Sequence, residues 1–433
     1  MSDLINALAP TLGQEVLIKT EPEILDFTNP ETKVKFLIIT KGLQINIDIP
    51  KNRSQLPILL GQLLGYLNKS KFIIAWNIKN FISYALYHTK KPFSITKPLF
   101  DLKVLENYLG ERQVCPSTFT DAKNRLGFIV KNSSWQHLKN IYSGIHIPLI
   151  TEVVPELEVF GLVNTNLKSI LHPFYEIEGQ INGRMKCSKD FIRSYNPHTL
   201  SDEEKSCLTT PDYDNKVFIY LDFKHMEVSV LQWLSQDSVL GSILATGRDL
   251  YESIWERVTG IKCNEDLRKI CKGFFLPLIF GQGTESLSKN IGISESTAIK
   301  LFKKTNESFK TAFEFVKNQQ LDSGICADQF WRLRKFEDDY RPKIRNFKIQ
   351  SPASTICLHK LVRLHKEILN FGKICFHVHD GYCIMAYNGQ EDKLCKLAKE
   401  TLESSEELYP GLILKVSVYQ GRKLSELKLI GGV

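Results

Sequence analysis

Three stretches of the 433-residue chain hold side chains that, brought together, would handle phosphate chemistry. The first covers residues 217–234, VFIYLDFKHMEVSVLQWL, where a β-branched and aromatic run reads as a buried strand and stops at Asp222. Met226, Val230, Trp233 and Leu234 then recur at helical spacing, which puts Asp222 at a helix entrance and Glu227 just over one turn further on. On this segment alone a helix N-cap is the simpler reading of Asp222. The second covers residues 267–287, LRKICKGFFLPLIFGQGTESL. Arg268, Lys272, Leu276 and Phe280 fall four apart, so on a helix they form one slowly drifting stripe with two cations near its start. Such a stripe can hold a polyphosphate, and a solvated basic edge explains it equally well. Pro277 predicts a kink, with Gly281 and Gly283 ending the helix. The third covers residues 373–387, KICFHVHDGYCIMAY, and places Asp380 at the tip of a β-hairpin with His379 beside it. A turn alone has no use for histidines at 377 and 379.

These groups need a scaffold, and 43% apolar with 10% aromatic residues can fill the cores of two or three domains. Residues 1–145 read as a compact α/β unit: strand-like ILDF, VKFLIITKG and LQINIDIP, helical LPILLGQLLGYL, strand-like KFIIAW, then ISYALYH and LKVLENYL as helices. Residues 284–325 read as consecutive helices, and residues 391–427 as a final helix and strand. No stretch is long enough to span a bilayer, and the first fourteen residues lack the regions of a signal peptide. Ten scattered cysteines without a C-x-x-C pair fit reduced thiols in a cytosol. A net charge of +8 leans toward polyanionic partners. Residues 330–350, FWRLRKFEDDYRPKIRNFKIQ, interleave Arg332, Arg334, Lys335, Arg341, Lys343, Arg345 and Lys348 with Phe336, Tyr340 and Phe347; this suits a nucleic-acid surface or a solvated amphipathic helix.

Asp222 with Glu227, Arg268 with Lys272 and Gly281, and His379-Asp380 resemble motifs A, B and C of the family A DNA polymerases, the bacterial DNA polymerase I type, in the family's order. Gly183-Arg184 resembles the family's TGR segment, and Gly247-Arg248-Asp249 its G-x-D after motif A. The resemblance implies an α/β multidomain fold. An N-terminal ribonuclease H-like (DEDD exonuclease-like) domain over 1–145 would precede a right-hand polymerase over 146–433. That part would have an antiparallel palm sheet, helical fingers over about 245–325, and a thumb reduced or absent, because residues 164–169 lead almost directly into ILHPFYEIEGQINGRMKC.

The implied activity is template-directed addition of deoxynucleotides to a primer 3′ end by two-metal nucleotidyl transfer, in DNA replication or repair. Asp222 and Asp380 would hold two Mg²⁺ ions, with Mn²⁺ as a substitute. Arg268 and Lys272 would neutralise phosphates, Lys272 protonating the leaving group. Leu276, Phe280, Glu227 and Tyr251 would line the nucleotide site, Glu227 crowding the sugar 2′ position and Tyr251 standing where the family has histidine. Arg184, His379, Gln350 and Arg345 would touch DNA. Primer-template and deoxynucleoside triphosphates are the implied partners, with no membrane and room for a processivity partner. The implied location is a bacterial cytoplasm, with the protein nucleoid-associated or phage- or plasmid-encoded.

Two departures from the family pattern touch activity. Gly381 stands where the family has a glutamate, removing a carboxylate beside the metal site. In the N-terminal unit Thr28 replaces the glutamate of D-x-E, Phe81 replaces the aspartate after Asn77 and Lys79, and no Y-x-x-x-D segment occurs between 110 and 145. A nuclease that needs four carboxylates for its metals would be silent, with Asp26 and Asp101 left to surface or capping roles. The competing expectations are a polymerase-shaped DNA-binding protein with weakened catalysis and a surviving nuclease.

Overall fold

The computed structural model describes residues 13–21, 26–29, 33–40, 43–48, 53–110, 114–131, 134–211, 216–319, 324–336 and 341–431. The first twelve residues, Ile24-Leu25 of the ILDF run, the ends of the next two strand-like runs, and Tyr340 lie outside the described residues, as does the side chain of Arg341.

Two five-stranded sheets organise the chain. The N-terminal one contains β1 (Val16–Glu21), β2 (Lys35–Thr40), β3 (Leu43–Asp48), β4 (Ile73–Trp76) and β5 (Leu99–Asp101), in the order β3-β2-β1-β4-β5. β1–β3 form an antiparallel meander, whereas β4 and β5 run parallel to β1. Those parallel pairings require crossovers, supplied by the helices α1 (Leu56–Leu67) and α2 (Ile78–Thr89). The central strand β1, VLIKTE, went unread in the sequence: its apolar residues are continuous rather than alternating because both faces are covered. Helix α3 (Leu102–Tyr108) follows β5. A helical stretch then runs from Ser134 to Phe160, its middle turns Tyr142–His146 and Leu149–Val153 wound wide in π-type geometry. It leads into the short strands Leu162–Asn164, Ser169–Leu171, Phe174–Glu176 and Lys186–Ser188, and residues 161–196 contain no helix.

The second sheet is antiparallel throughout. Its strands are β6 (Phe218–Phe223), β7 (Gly372–Val378), β8 (Gly381–Ala386), β9 (Val416–Gly421) and β10 (Lys428–Gly431), in the order β7-β8-β6-β9-β10. Helices α4 (Met226–Ser235), α5 (Leu250–Thr259) and α6 (Glu265–Ile279) follow β6, then Thr284–Ile291, Glu295–Ser308 and Lys310–Lys317. The 28-residue helix α7 (Arg341–Ile368) leads to the β7–β8 hairpin. One apolar core runs from β1 through the wide-turned helix to α7 and β8, and a smaller cluster with Phe218, Phe376 and Met385 lies under the hairpin. Among the described residues no helix is long and apolar enough to cross a membrane. All ten cysteines are free.

The two halves are joined by a buried ionic centre. Arg332, fully buried, gives Nη2 and Nε to the two Glu178 oxygens at 2.7 and 3.0 Å. Its Nη1 reaches Asp328, Ser351 and Thr355, and its guanidinium lies 4.4 Å from the centre of the Tyr108 ring. His146 Nε2 meets Glu178 Oε1 at 2.9 Å. Burial by itself would raise the Glu178 carboxyl, but Arg332 and His146 outweigh it and hold the group down to about 2. Arg334 is likewise spent on the carbonyls of Ile181 and Asn107. Arg332 and Arg334 therefore do not belong to a nucleic-acid surface: a guanidinium whose donors are all engaged in a dry interior cannot also face phosphate.

Candidate active site

Asp222 is the fifth residue of β6 and pairs with Gly381 of β8 on one side and Ser417 of β9 on the other. The strand continues to Phe223, and α4 starts only at Met226 behind His225, whose φ is 56°. Asp222 is thus not the helix N-cap; its carboxylate stays on the sheet. The hairpin closes through His379-Asp380, with Val378 already paired to Gly381, so the turn sits one residue earlier than the Asp-Gly signal indicates. His379 takes the left-handed φ of 50° that this turn demands. His377 is buried and its Nδ1 meets the Gly381 carbonyl at 3.1 Å, pinning the two strands at the point where Asp380 emerges.

This register puts both carboxylates at one end of adjacent strands, and the Phe223 N–H donates to the Asp380 carbonyl at 3.2 Å. Burial first, and the charge of Asp380 second, push Asp222 up to about 7; burial raises Asp380 as well, against the pull of Arg184. No other residue's donor meets either carboxylate among the described residues, and Asp380 accepts only its own backbone N–H, so both keep oxygen lone pairs for something else. Two hard, charge-strained oxygen donors fit Mg²⁺, which takes few protein ligands and leaves the rest to phosphate and water. Among the described residues there is no group of three or more His, Cys, Asp and Glu side chains that could hold a metal ion.

Arg184, Glu227 and Gln350 meet on one flank. Gln350 Nε2 donates to Glu227 Oε1 at 2.8 Å, Arg184 lies 3.5 Å from the same oxygen, and Asn182 holds the Gln350 carbonyl. Gly183 is required here: its φ is 79°, and a Cβ would fall 2.2 Å from the Arg332 guanidinium carbon. His379 lies tilted against His198, ring centroids 4.4 Å apart and Nε2 3.4 Å from His198 Nδ1, and burial holds His379 down to about 4.

On the other flank, α6 is capped by Asn264 and carries Pro277 within it; Phe280 is its C-cap and Gly281 follows at φ 92°. Arg268 pairs with Asp249 at 2.8 Å, and Lys272 stands exposed one turn along. Leu276 and Phe280 are half-buried. Phe280, Gly281, Phe347 and Gln350 line a 1030 Å³ cavity, and the Arg345 guanidinium packs against Gly281. A second cavity of 670 Å³ begins at Ser417, beside Asp222, and is lined by Lys224, His225, Arg248, Arg268 and Lys415 among others. Tyr251 does not reach it. That ring is buried edge-on against His225, centroids 5.1 Å apart, so His225 presents the imidazole beside Arg268. Burial holds His225 down to about 4, with Arg268, Lys224 and Lys272 opposing the attraction of Asp249. The left-handed backbone at 225 aims this ring, and residue type alone gives no sign of it.

Residues 151–426 match the sequence model of the family described as DNA polymerase family A. The chain belongs to DNA polymerase family A. It is 22% identical to DNA polymerase theta of Drosophila melanogaster over 50% of this chain and 12% of that protein. It is 26% identical to DNA polymerase I of Streptococcus pneumoniae serotype 4 over 47% of this chain and 25% of that protein. The alignments therefore span a quarter or less of these relatives' length. The fold is similar to that of the POL domain of Pol1 from M. smegmatis, solved with DNA primer-template and dNTP, at a TM-score of 0.77 and 13% identity over 98% of each chain. The matched span of this family A chain includes β6 with Asp222, α6, and the β7–β8 turn with Asp380.

Proposed function

We propose that the chain is a template-directed DNA polymerase that extends a primer 3′ end with deoxynucleotides, without proofreading, in replication or repair. The observation that carries this reading is the Asp222 and Asp380 pair, raised in pKa and left without other residues' donors, beside a cavity walled by Arg268 and His225. Two divalent cations, Mg²⁺ or Mn²⁺, supply activation of the primer hydroxyl and neutralisation of the triphosphate when bound. Asp222 and Asp380 would hold them. Arg268, steadied by Asp249, and the neutral His225 ring would bind phosphate oxygens, and Lys272 would protonate the departing pyrophosphate. Glu227, fixed by Gln350 and Arg184, would crowd the sugar edge, while Phe280 and Leu276 pack the base. Arg184, Gln350, His379 and Arg345 would follow the primer and template strands.

The N-terminal sheet is read as a silent exonuclease-like domain ending near residue 145, and residues 245–325 as fingers. Helix-free residues 161–196 support a thumb reduced to a stub, which leaves DNA affinity to phosphate contacts and makes it salt-sensitive. Primer extension at low salt with each deoxynucleotide supplied separately tests activity and templating together. Incorporation should follow the template base and vanish in Asp222→Ala and Asp380→Ala. Binding of DNA without incorporation at any salt would favour the weakened-polymerase reading, to which Gly381 lends support. Release of labelled 3′ nucleotides from single strands would contradict the silent domain.

A further inference from the structure

Gly381 opens β8, and its φ lies outside the left-handed region, so its backbone does not call for glycine. Space does. A Cβ at 381 would fall 2.1 Å from Tyr220 Oη, 2.7 Å from Tyr220 Cζ and 3.2 Å from Asp222 Oδ1. Tyr220 precedes Asp222 by two residues on β6, so both side chains leave the same face of the sheet. Its ring is braced by Tyr419 on β9, centroids 6.3 Å apart, and the phenol lies within the fields of both Asp222 and Asp380. A hydroxyl that can donate therefore stands at the one place where a longer residue at 381 would put its side chain, next to a carboxylate that lacks a donor from other residues.

We propose that Tyr220 is a positioning residue of the carboxylate pair: its hydroxyl, which makes no hydrogen bond to Asp222 in this structure, fills the space left by Gly381 and turns its proton to Asp222 when that carboxylate takes up a divalent cation. The inference rests on the two-carboxylate reading above. Groups that orient a metal-bound carboxylate are worth about 10- to 100-fold in metal affinity.

The test is binding of Mn²⁺ alone to the full chain, with free ion read by electron paramagnetic resonance and no primer or nucleotide present. Tyr220→Phe keeps the ring, so its thermal midpoint should match wild type while Mn²⁺ binding weakens by about tenfold. Gly381→Glu should displace the phenol and lose the hairpin's stability, and Tyr220→Ser combined with it should recover both folding and binding. Tyr220→Phe binding Mn²⁺ as wild type, while Asp380→Asn does not bind, would remove the role given to the phenol and leave the polymerase reading standing. Asp380→Asn binding as tightly as wild type would sink both.

Discussion

The two sheets of this chain treat their acids in opposite ways. In the N-terminal sheet Asp101 is fully buried and takes backbone N–H groups from Asn77, Ile78, Lys103 and Val104 at 2.8–3.4 Å. Asp26 accepts both the N–H and the hydroxyl of Thr28, and Phe81 sits edge-on to Phe36 and Phe93, at 4.5 and 4.7 Å. Lys79 is turned to Glu158 at 2.6 Å. At the end of the second sheet Asp222 and Asp380 receive no donor from another described residue; burial raises the carboxyls of all three, Asp101 included, so the regions differ in the hydrogen bonds they supply and not in the direction of the shift. An acid whose oxygens are occupied stabilises the fold, whereas one left in want of a cation costs stability and is available for chemistry.

The contrast breaks most sharply at the acids themselves. Asp222→Ala or Asp380→Ala should cut primer extension by roughly a thousandfold or more, while the melting midpoint holds or rises as the buried repulsion is relieved. Asp101→Ala should do the reverse, losing about 2 kcal/mol in urea unfolding with extension per folded molecule intact. Putting a carboxylate at Phe81, on α2 against the N-terminal sheet, is the next test. Phe81→Asp places a charge among aromatic rings and should lose roughly 3–5 kcal/mol, with no release of 3′ nucleotides.

The ionic centre between the halves gives the pH arm. The Glu178 carboxyl is lower in the folded chain than in the unfolded one, so its contribution is present above the ordinary glutamate range and disappears as pH falls toward 2. It amounts to roughly 3 kcal/mol, and in Glu178→Gln urea midpoints measured from pH 6 to 3 should fall less steeply. The smallest effect belongs to His225. His225→Ala should raise KM for the nucleotide about fivefold by removing one donor to phosphate, with Tyr251→Phe near wild type in the same steady-state assay because that ring is turned away from the cavity.

The strand before Asp222, the hairpin before Asp380 and the stripe on α6 were legible because each announces itself within a dozen residues. The substitutions Thr28 and Phe81 were legible for the same reason, and the structure adds what fills the space. The burial of Arg332 and Arg334 was not. Apart from Asp328, their partners lie far away in sequence, Glu178 for one and the Ile181 and Asn107 carbonyls for the other, so a basic run looks identical whether it faces solvent or the interior. His225 escaped notice because its direction is set by a single left-handed residue, and β1 because a strand covered on both faces shows no alternation.

The ionic centre has a bearing on which parts of the molecule evolution is free to discard. A shortened polypeptide starting after residue 145 would strip the Tyr108 ring from the Arg332 guanidinium and leave its ion pairs with Glu178 and Asp328 uncovered on that side. The same cut would take Lys79 and Ser83 from Glu158, whose other oxygen contact is the Tyr175 N–H. The front half is thus not dispensable whatever chemistry it does or does not perform, being the buttress against which the second half leans.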